Sequence, residues 1–146
     1  MKYPKSLQWL PLLAGLIWAS QAVAQAPPQV DPGLPAIERV RALVSFADRL
    51  VEAAYSGKAL ASTYRIDVTY YRESLRDLVK DNDVLPAAER LPRGLVMDMV
   101  RMAALLQSAA QCQTGRYIVC PPDLMSQLQR QQALLEQGLA ALADKP

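Results

Sequence analysis

Four segments of the chain repeat apolar residues at intervals of three and four, the spacing that places them on one face of an α-helix. The segments span about 35–55, 60–80, 93–111 and 124–143. Mostly short connections separate them, which favours antiparallel packing of consecutive helices. The sequence therefore predicts an all-α fold, an antiparallel four-helix bundle-like domain. Nothing in it supports a parallel sheet or a β-sandwich.

Residues that start or stop helices lie between these segments. Ser56-Gly57 is typical of a glycine C-cap, and Asp81-Asn82-Asp83 interrupts the apolar pattern of the second segment. We expect a short helical turn over 86–91 and a third helix with Pro92 at its first position. We expect Asp123 to be the N-cap of the fourth helix.

Residues 64–70 carry a conflicting signal. From Tyr64 to Tyr70, apolar and polar side chains alternate, and most of them are strand-forming types. The helical spacing nevertheless continues to Leu78, and a lone strand would leave its backbone groups unpaired. We therefore predict a helix here, with a strand as the open alternative.

The third segment is apolar on nearly all sides, because Met97, Val100 and Ala104 lie opposite its main apolar face. Such a helix is usually buried, so we expect it to be the most central of the four. Thioethers can bind Cu(I), but Met97 and Met99 point about 160° apart on a helix. The methionines are therefore interpreted as core side chains.

The first 24 residues have the three zones of a secretory signal peptide. Lys2 and Lys5 precede ten apolar residues over 10–19, and small residues follow up to Ala24. The apolar run is shorter than the roughly 20 residues that span a bilayer. We expect cleavage after Ala24 and release to the periplasm or outside a bacterial cell. A flexible Pro-rich leader over 25–36 and a single helical domain over 37–146 would follow.

Charge excludes one class of function. The signal segment contains two lysines and no acid, so the rest of the chain has 14 basic and 14 acidic side chains. A neutral chain lacks the basic excess that nucleic-acid binding requires. It also has no electrostatic reason to bind anionic membranes.

The two cysteines, Cys112 and Cys120, favour a disulfide, because an even number of cysteines in an exported protein usually pairs. Their spacing lacks the C-x-x-C signature of redox and metal sites. A bond between them would join the end of the third helix to the start of the fourth.

The chain contains no histidine, which removes the usual general base and the commonest metal ligand. The haem-attachment motif C-x-x-C-H is also absent. Two carboxylate pairs lie at i, i+4 (Glu73/Asp77 and Asp48/Glu52), and such pairs are typical of solvated faces. We therefore predict no catalytic residue, no metal and no cofactor.

Two surface features on the second helix remain. Arg65, Arg72 and Arg76, with Thr69 beside them, form one stripe that could hold a carboxylate or a phosphate. The alternative is a solvated face balanced by acids of a neighbouring helix. Ile66 and Tyr70 point away from the core stripe and suit a protein–protein contact. They could instead be covered by the leader or by the 81–94 connection.

These features favour an exported binding or accessory protein that docks a partner protein or a second copy of itself. One alternative is a periplasmic carrier of a small molecule or metal that uses the bundle core or the arginine stripe. A second alternative is a secreted helical enzyme without histidine chemistry.

Overall fold

The computed structural model describes residues 30–143, and these residues form four long helices. They are α1 (Ala36–Ser56), α2 (Ala61–Val84), α3 (Arg93–Ala109) and α4 (Pro122–Ala143). The all-α prediction is confirmed. The predicted signal peptide, 1–24, and its cleavage site lie outside the described residues.

The start of the described chain is ordered by a local turn. Asp31 accepts a hydrogen bond from the Gly33 N–H through its carboxylate (2.8 Å) and another from the Leu34 N–H through its carbonyl (3.2 Å). Val30 packs against the core, and α1 begins at Ala36. This part of the predicted leader is therefore attached to the bundle.

The first helix ends as the sequence predicts. Gly57 adopts a left-handed conformation (φ 64°), which glycine reaches without the steric cost of a side chain. The expectation that α3 is the most central helix is wrong. α1 has nine buried residues and α3 has six, because Met97 and Val100 of α3 are exposed to solvent.

The second helix settles the conflict over 64–70 in favour of helix. It also continues through Asp81-Asn82-Asp83, so the predicted break there is wrong. Asn82 is buried and its side-chain oxygen accepts a hydrogen bond from the Leu91 N–H at 2.7 Å. Asp81 forms an ion pair with the buried Arg39 of α1 at 2.6 Å. These tertiary contacts hold polar residues in a helix that their local composition disfavours.

The connection between α2 and α3 contains a hydrogen-bonded turn, from the Glu89 N–H to the Pro86 carbonyl (2.9 Å), within the predicted helical turn over 86–91 but shorter than it. Pro92 lies just before α3 and is not its first residue. Pro122 is the first residue of α4, and Asp123 lies in its first turn, so Asp123 is not the N-cap. A proline at N1 gives up an N–H that has no partner inside the helix.

A small antiparallel hairpin that the sequence analysis did not predict joins α3 to α4. Its strands are β1 (Gln113–Thr114) and β2 (Tyr117–Ile118). The segment before α2 pairs with it, since the Ile118 N–H donates to the Ala59 carbonyl (2.9 Å). Ile118 is fully buried, so the hairpin closes one end of the apolar core.

The helices pack in the order α1, α2, α3, α4 and back to α1. Neighbouring helices run in opposite directions, because the start of each lies against the end of the next. At the interface of α3 and α4, a Cβ on Gly138 would lie 2.8 Å from Cδ1 of Leu95. The two helices can therefore pack this closely only because residue 138 has no side chain. The polar contacts that define these directions are Arg39–Asp81, Arg72–Gln107, Gln131–Asp98 and Gln132–Asp48.

Candidate functional site

The outer face of α2 carries the two residues that the sequence assigns to partner binding. Ile66 is 57% exposed and Tyr70 is 38% exposed, one turn apart on the helix. With Arg65, Thr69 and Glu73 they line a shallow depression of about 260 Å³. Neither the described part of the leader nor the 81–94 connection covers them.

The arginine stripe on α2 is partly engaged by its neighbour α3. Arg65 donates through Nε to the Ala110 carbonyl at the end of α3 (3.3 Å), and its Nη2 donates to the Gln113 side chain. Arg72 donates to Gln107 Oε1 at 2.7 Å. These partners are amide and carbonyl oxygens, so they orient the guanidinium groups without neutralising their charge.

The other two members of the stripe differ. Thr69 donates its hydroxyl to the Arg65 carbonyl one turn earlier (2.8 Å). Arg76 is 74% exposed at its side chain, and its nearest carboxylate, Asp77, is 3.9 Å away. Arg76 is therefore an accessible cation, whereas Arg65 and Arg72 also join α2 to α3.

The cysteines meet beside the hairpin. The Val119 N–H donates to the Cys112 carbonyl at 2.7 Å, which brings Cys112 and Cys120 together at the base of the strands. Their side chains lie 2.6 Å apart without a bond between them. Burial, with a contribution from Cys112, raises the pKa of the Cys120 thiol to about 12. A raised pKa at Cys120 is the opposite of what an activated cysteine nucleophile requires.

Two tyrosine hydroxyls are buried in the core and have no hydrogen-bond partner among residues 30–143. Tyr64 lies near the cysteine pair and Tyr71 near Asp48, and burial raises the pKa of both phenols. The edge of the Tyr71 ring also packs against Phe46, with centroids 6.0 Å apart. A phenol held neutral among apolar side chains serves packing more readily than proton transfer.

One carboxylate lies at the interface of α1 and α4. Asp48 accepts a hydrogen bond from Gln132 Nε2 at 3.0 Å. Burial raises the pKa of Asp48, the hydrogen bond lowers it and the negative charge of Glu136 raises it further, with a net increase. Asp48 and Glu136 line a groove of about 360 Å³ together with Arg41 and Ser45.

The methionines of α3 diverge as the helical geometry predicts. Met99 and Met102 are fully buried in the core, whereas Met97 is 45% exposed on the opposite face. Three sulfur atoms on these positions do not converge on one ion. Within residues 30–143, no group of three or more Cys, Asp or Glu side chains is placed to hold a metal.

A groove that the sequence pattern does not predict lies between α3 and α4, flanked by Arg101 and Arg130. The two arginines belong to different helices, so no local spacing relates them. The sequence feature that could have indicated this groove is the apolar side of α3 opposite its main apolar face, which was interpreted as part of the core. No helix among the described residues has the length and apolar composition to cross a membrane.

Comparison with known proteins finds no matching family model, no matching curated protein and no matching solved structure.

Proposed function

We propose that the chain is an exported helical binding protein that docks a partner protein, or a second copy of itself, through the outer face of α2. One observation carries this proposal: Ile66 and Tyr70 are exposed one turn apart on a long helix whose other face is in the core. Aromatic and apolar anchors on a rigid helix are typical of protein contacts.

The surroundings of Ile66 and Tyr70 support this role. Contacts with α3 hold the guanidinium groups of Arg65 and Arg72 in place, so little side-chain freedom is lost when a partner binds. Glu73 and Arg76 add charges of both signs at the edge of the face. This arrangement resembles the apolar centre and polar rim of a protein interface.

The proposal includes export and a disulfide between Cys112 and Cys120. Two thiols at 2.6 Å are closer than unbonded sulfur atoms approach, and a disulfide needs about 2.05 Å. A small shift of either side chain would close the bond. An oxidising compartment such as the periplasm would supply the oxidant.

The test of docking compares Ile66→Asp and Tyr70→Asp with a control, Val84→Asp. Val84 is 81% exposed at the end of the same helix, so the control places the same charge on α2 away from the proposed face. If the chain binds itself, analytical ultracentrifugation should show an oligomer that both face variants lose and the control keeps. All variants should melt at similar temperatures.

If the chain binds another protein, a photo-crosslinking residue at Tyr70 should give a discrete adduct in the periplasm. The same residue at Tyr55, which is 67% exposed on α1, should not. A monomer at all concentrations combined with no adduct specific to position 70 would contradict the docking proposal.

A further inference from the structure

A groove of about 470 Å³ runs between α3 and α4. Its size lies within the range of small-molecule sites, which are mostly apolar with a few placed polar groups. Apolar side chains line it from both helices, and two arginines flank it. The lining residues are Arg101, Ala104, Leu105, Gln127, Arg130, Gln131 and Leu134.

The two arginines come from opposite sides of the groove, about 3 Å apart along the bundle axis. The register follows from Gln131, whose Nε2 donates to the Asp98 carbonyl at 3.1 Å across the antiparallel helices. Arg101 follows Asp98 by one turn, and Arg130 directly precedes Gln131. An anion in the groove at this level would have a guanidinium group on each side.

The charge at this level is incompletely balanced. Arg101 has a carboxylate oxygen of Asp98 at 3.4 Å, and that carboxylate also accepts from Gln131 (3.3 Å). Arg130 has no ion pair and donates no hydrogen bond within the part of the chain that the structure describes. No acidic residue lines the groove. The groove therefore has a net positive flank and an apolar floor.

The surface around the groove has few charges. α3 and α4 carry six charged side chains in 39 residues, whereas α1 and α2 carry fifteen in 45. Three large apolar side chains are exposed here: Met97 (45%), Val100 (42%) and Leu134 (44%). An exposed apolar surface edged by cations fits a molecule that is apolar along its length and anionic at one end.

We propose that the groove binds a single-chain fatty carboxylate. The carboxylate lies between the guanidinium groups of Arg101 and Arg130, which are suited to paired hydrogen bonds with its two oxygens. The alkyl chain extends from there towards Leu134, because the same register places Leu105 beyond the arginines at the other end of the groove. The groove extends over eight residues of α4, from Gln127 to Leu134, which is about 10 Å at the helical rise. This surface is separate from the outer face of α2, so the proposal does not depend on partner docking.

The experiment is a titration of the isotope-labelled protein with decanoate, followed by amide chemical shifts. We expect saturable shifts that cluster at the groove, including Arg101, Arg130 and Leu134. Butyrate has the same head group with a short chain, and decyl maltoside has the same chain with an uncharged head. Both should bind at least about tenfold more weakly, because butyrate lacks most of the alkyl contacts and decyl maltoside lacks the contacts of the carboxylate with the arginines.

Variants test the role of the two cations. Arg101→Gln/Arg130→Gln should weaken decanoate binding about tenfold or more, and the corresponding double lysine variant should retain part of the affinity. Arg41→Gln removes a half-exposed cation from α1, away from both proposed surfaces, and serves as the matched control, with unchanged binding. Thermal melts verify that each variant is folded, and Leu134→Asp tests the apolar half if the double variant is unstable.

Three results would overturn the proposal. Equal binding of decanoate and decyl maltoside would show a general apolar surface that does not use the arginines. Shifts centred on α2 would place the site elsewhere. Binding to vesicles of anionic phospholipid without binding to monomeric decanoate would indicate a membrane surface as the occupant.

Discussion

Removal of the proposed Cys112–Cys120 disulfide should lower the stability of the fold by an amount that its loop length determines. The cross-link closes a loop of nine residues, 112–120. Closing a loop of this length in the unfolded chain stabilises the folded state by about 2.5 kcal/mol on the chain-entropy model. For a domain of this size, that free energy corresponds to a decrease of about 10–20 °C in Tm.

The hairpin shows why the protein should remain folded after reduction. Hydrogen bonds from the Val119 N–H to Cys112 and from the Ile118 N–H to Ala59 hold the loop in place without the cross-link. The disulfide therefore acts mainly on the unfolded chain, and its loss should shift the unfolding transition without abolishing it.

The assay compares thermal and guanidinium unfolding of the oxidised protein, the reduced protein and a Cys112→Ser/Cys120→Ser variant. The reduced protein and the variant should have similar stability, both below that of the oxidised protein. A reductant should have no effect on the variant, which serves as the control. The reasoning is refuted if protein purified from a bacterial periplasm has two alkylatable thiols after denaturation, or if oxidised and reduced proteins unfold at the same temperature.

Two further substitutions test contacts that the structure reveals. Asn82→Ala removes the acceptor of the Leu91 N–H and should cause a net decrease of about 1–2 kcal/mol in the free energy of unfolding. This net value includes about 0.5 kcal/mol of stabilisation from the higher helix propensity of alanine. Denaturant unfolding should show a much smaller effect for the exposed control Asp83→Ala, and equal effects would contradict this role of Asn82. Burial raises the pKa of Asp48 in the folded state, so its stabilising contribution is complete below about pH 4 and is lost as the pH rises through the folded-state value. Asp48→Asn, which keeps an acceptor for Gln132, should therefore lose less stability than the wild type between pH 4 and 7, and an equal loss would show that Asp48 does not titrate in this way.

The helices could be predicted because their signal is local. Each apolar face follows from residues three and four apart, and Gly57 ends α1 through its own backbone conformation. The end of α2 could not be predicted in this way. Asp81 pairs with Arg39, 42 positions earlier, and Asn82 bonds to Leu91 beyond the helix. Polar residues that indicate a break can continue a helix when tertiary partners satisfy them.

Strand-forming composition does not by itself identify a strand, as two segments show. Residues 64–70 alternate like a strand but form a helix, whereas Tyr117-Ile118 forms a strand that no pattern indicated. A strand needs a partner backbone, and the partners of β2 are β1 and the segment before α2. Because such pairing is not encoded in the composition of one segment, local sequence cannot decide between the two outcomes.

The candidate surfaces were predictable to different extents. Ile66 and Tyr70 were identified because a helix places them opposite its own apolar face. The partners of Arg65 and Arg72 on α3 were not, since the register of two helices depends on their packing. The groove at Arg101 and Arg130 forms where α3 and α4 pack against each other, so the sequence of neither helix alone indicates it.

The apolar outer face of α3 shows how one sequence pattern supports two opposite structural interpretations. A helix that is apolar on all sides is either fully buried in its own fold or exposes a surface for another molecule. The first interpretation was wrong, since Met97 and Val100 are exposed to solvent and α1 is the more buried helix. The second explains why this exposed face lies beside the groove of Arg101 and Arg130 on the charge-poor side of the bundle. If decanoate binds there and the arginine variants abolish the binding, the apolar composition of α3 is a ligand-binding feature. If neither occurs, the exposure of Met97 and Val100 has no explanation within this chain alone, and a second protein chain on α3 becomes the next hypothesis to test.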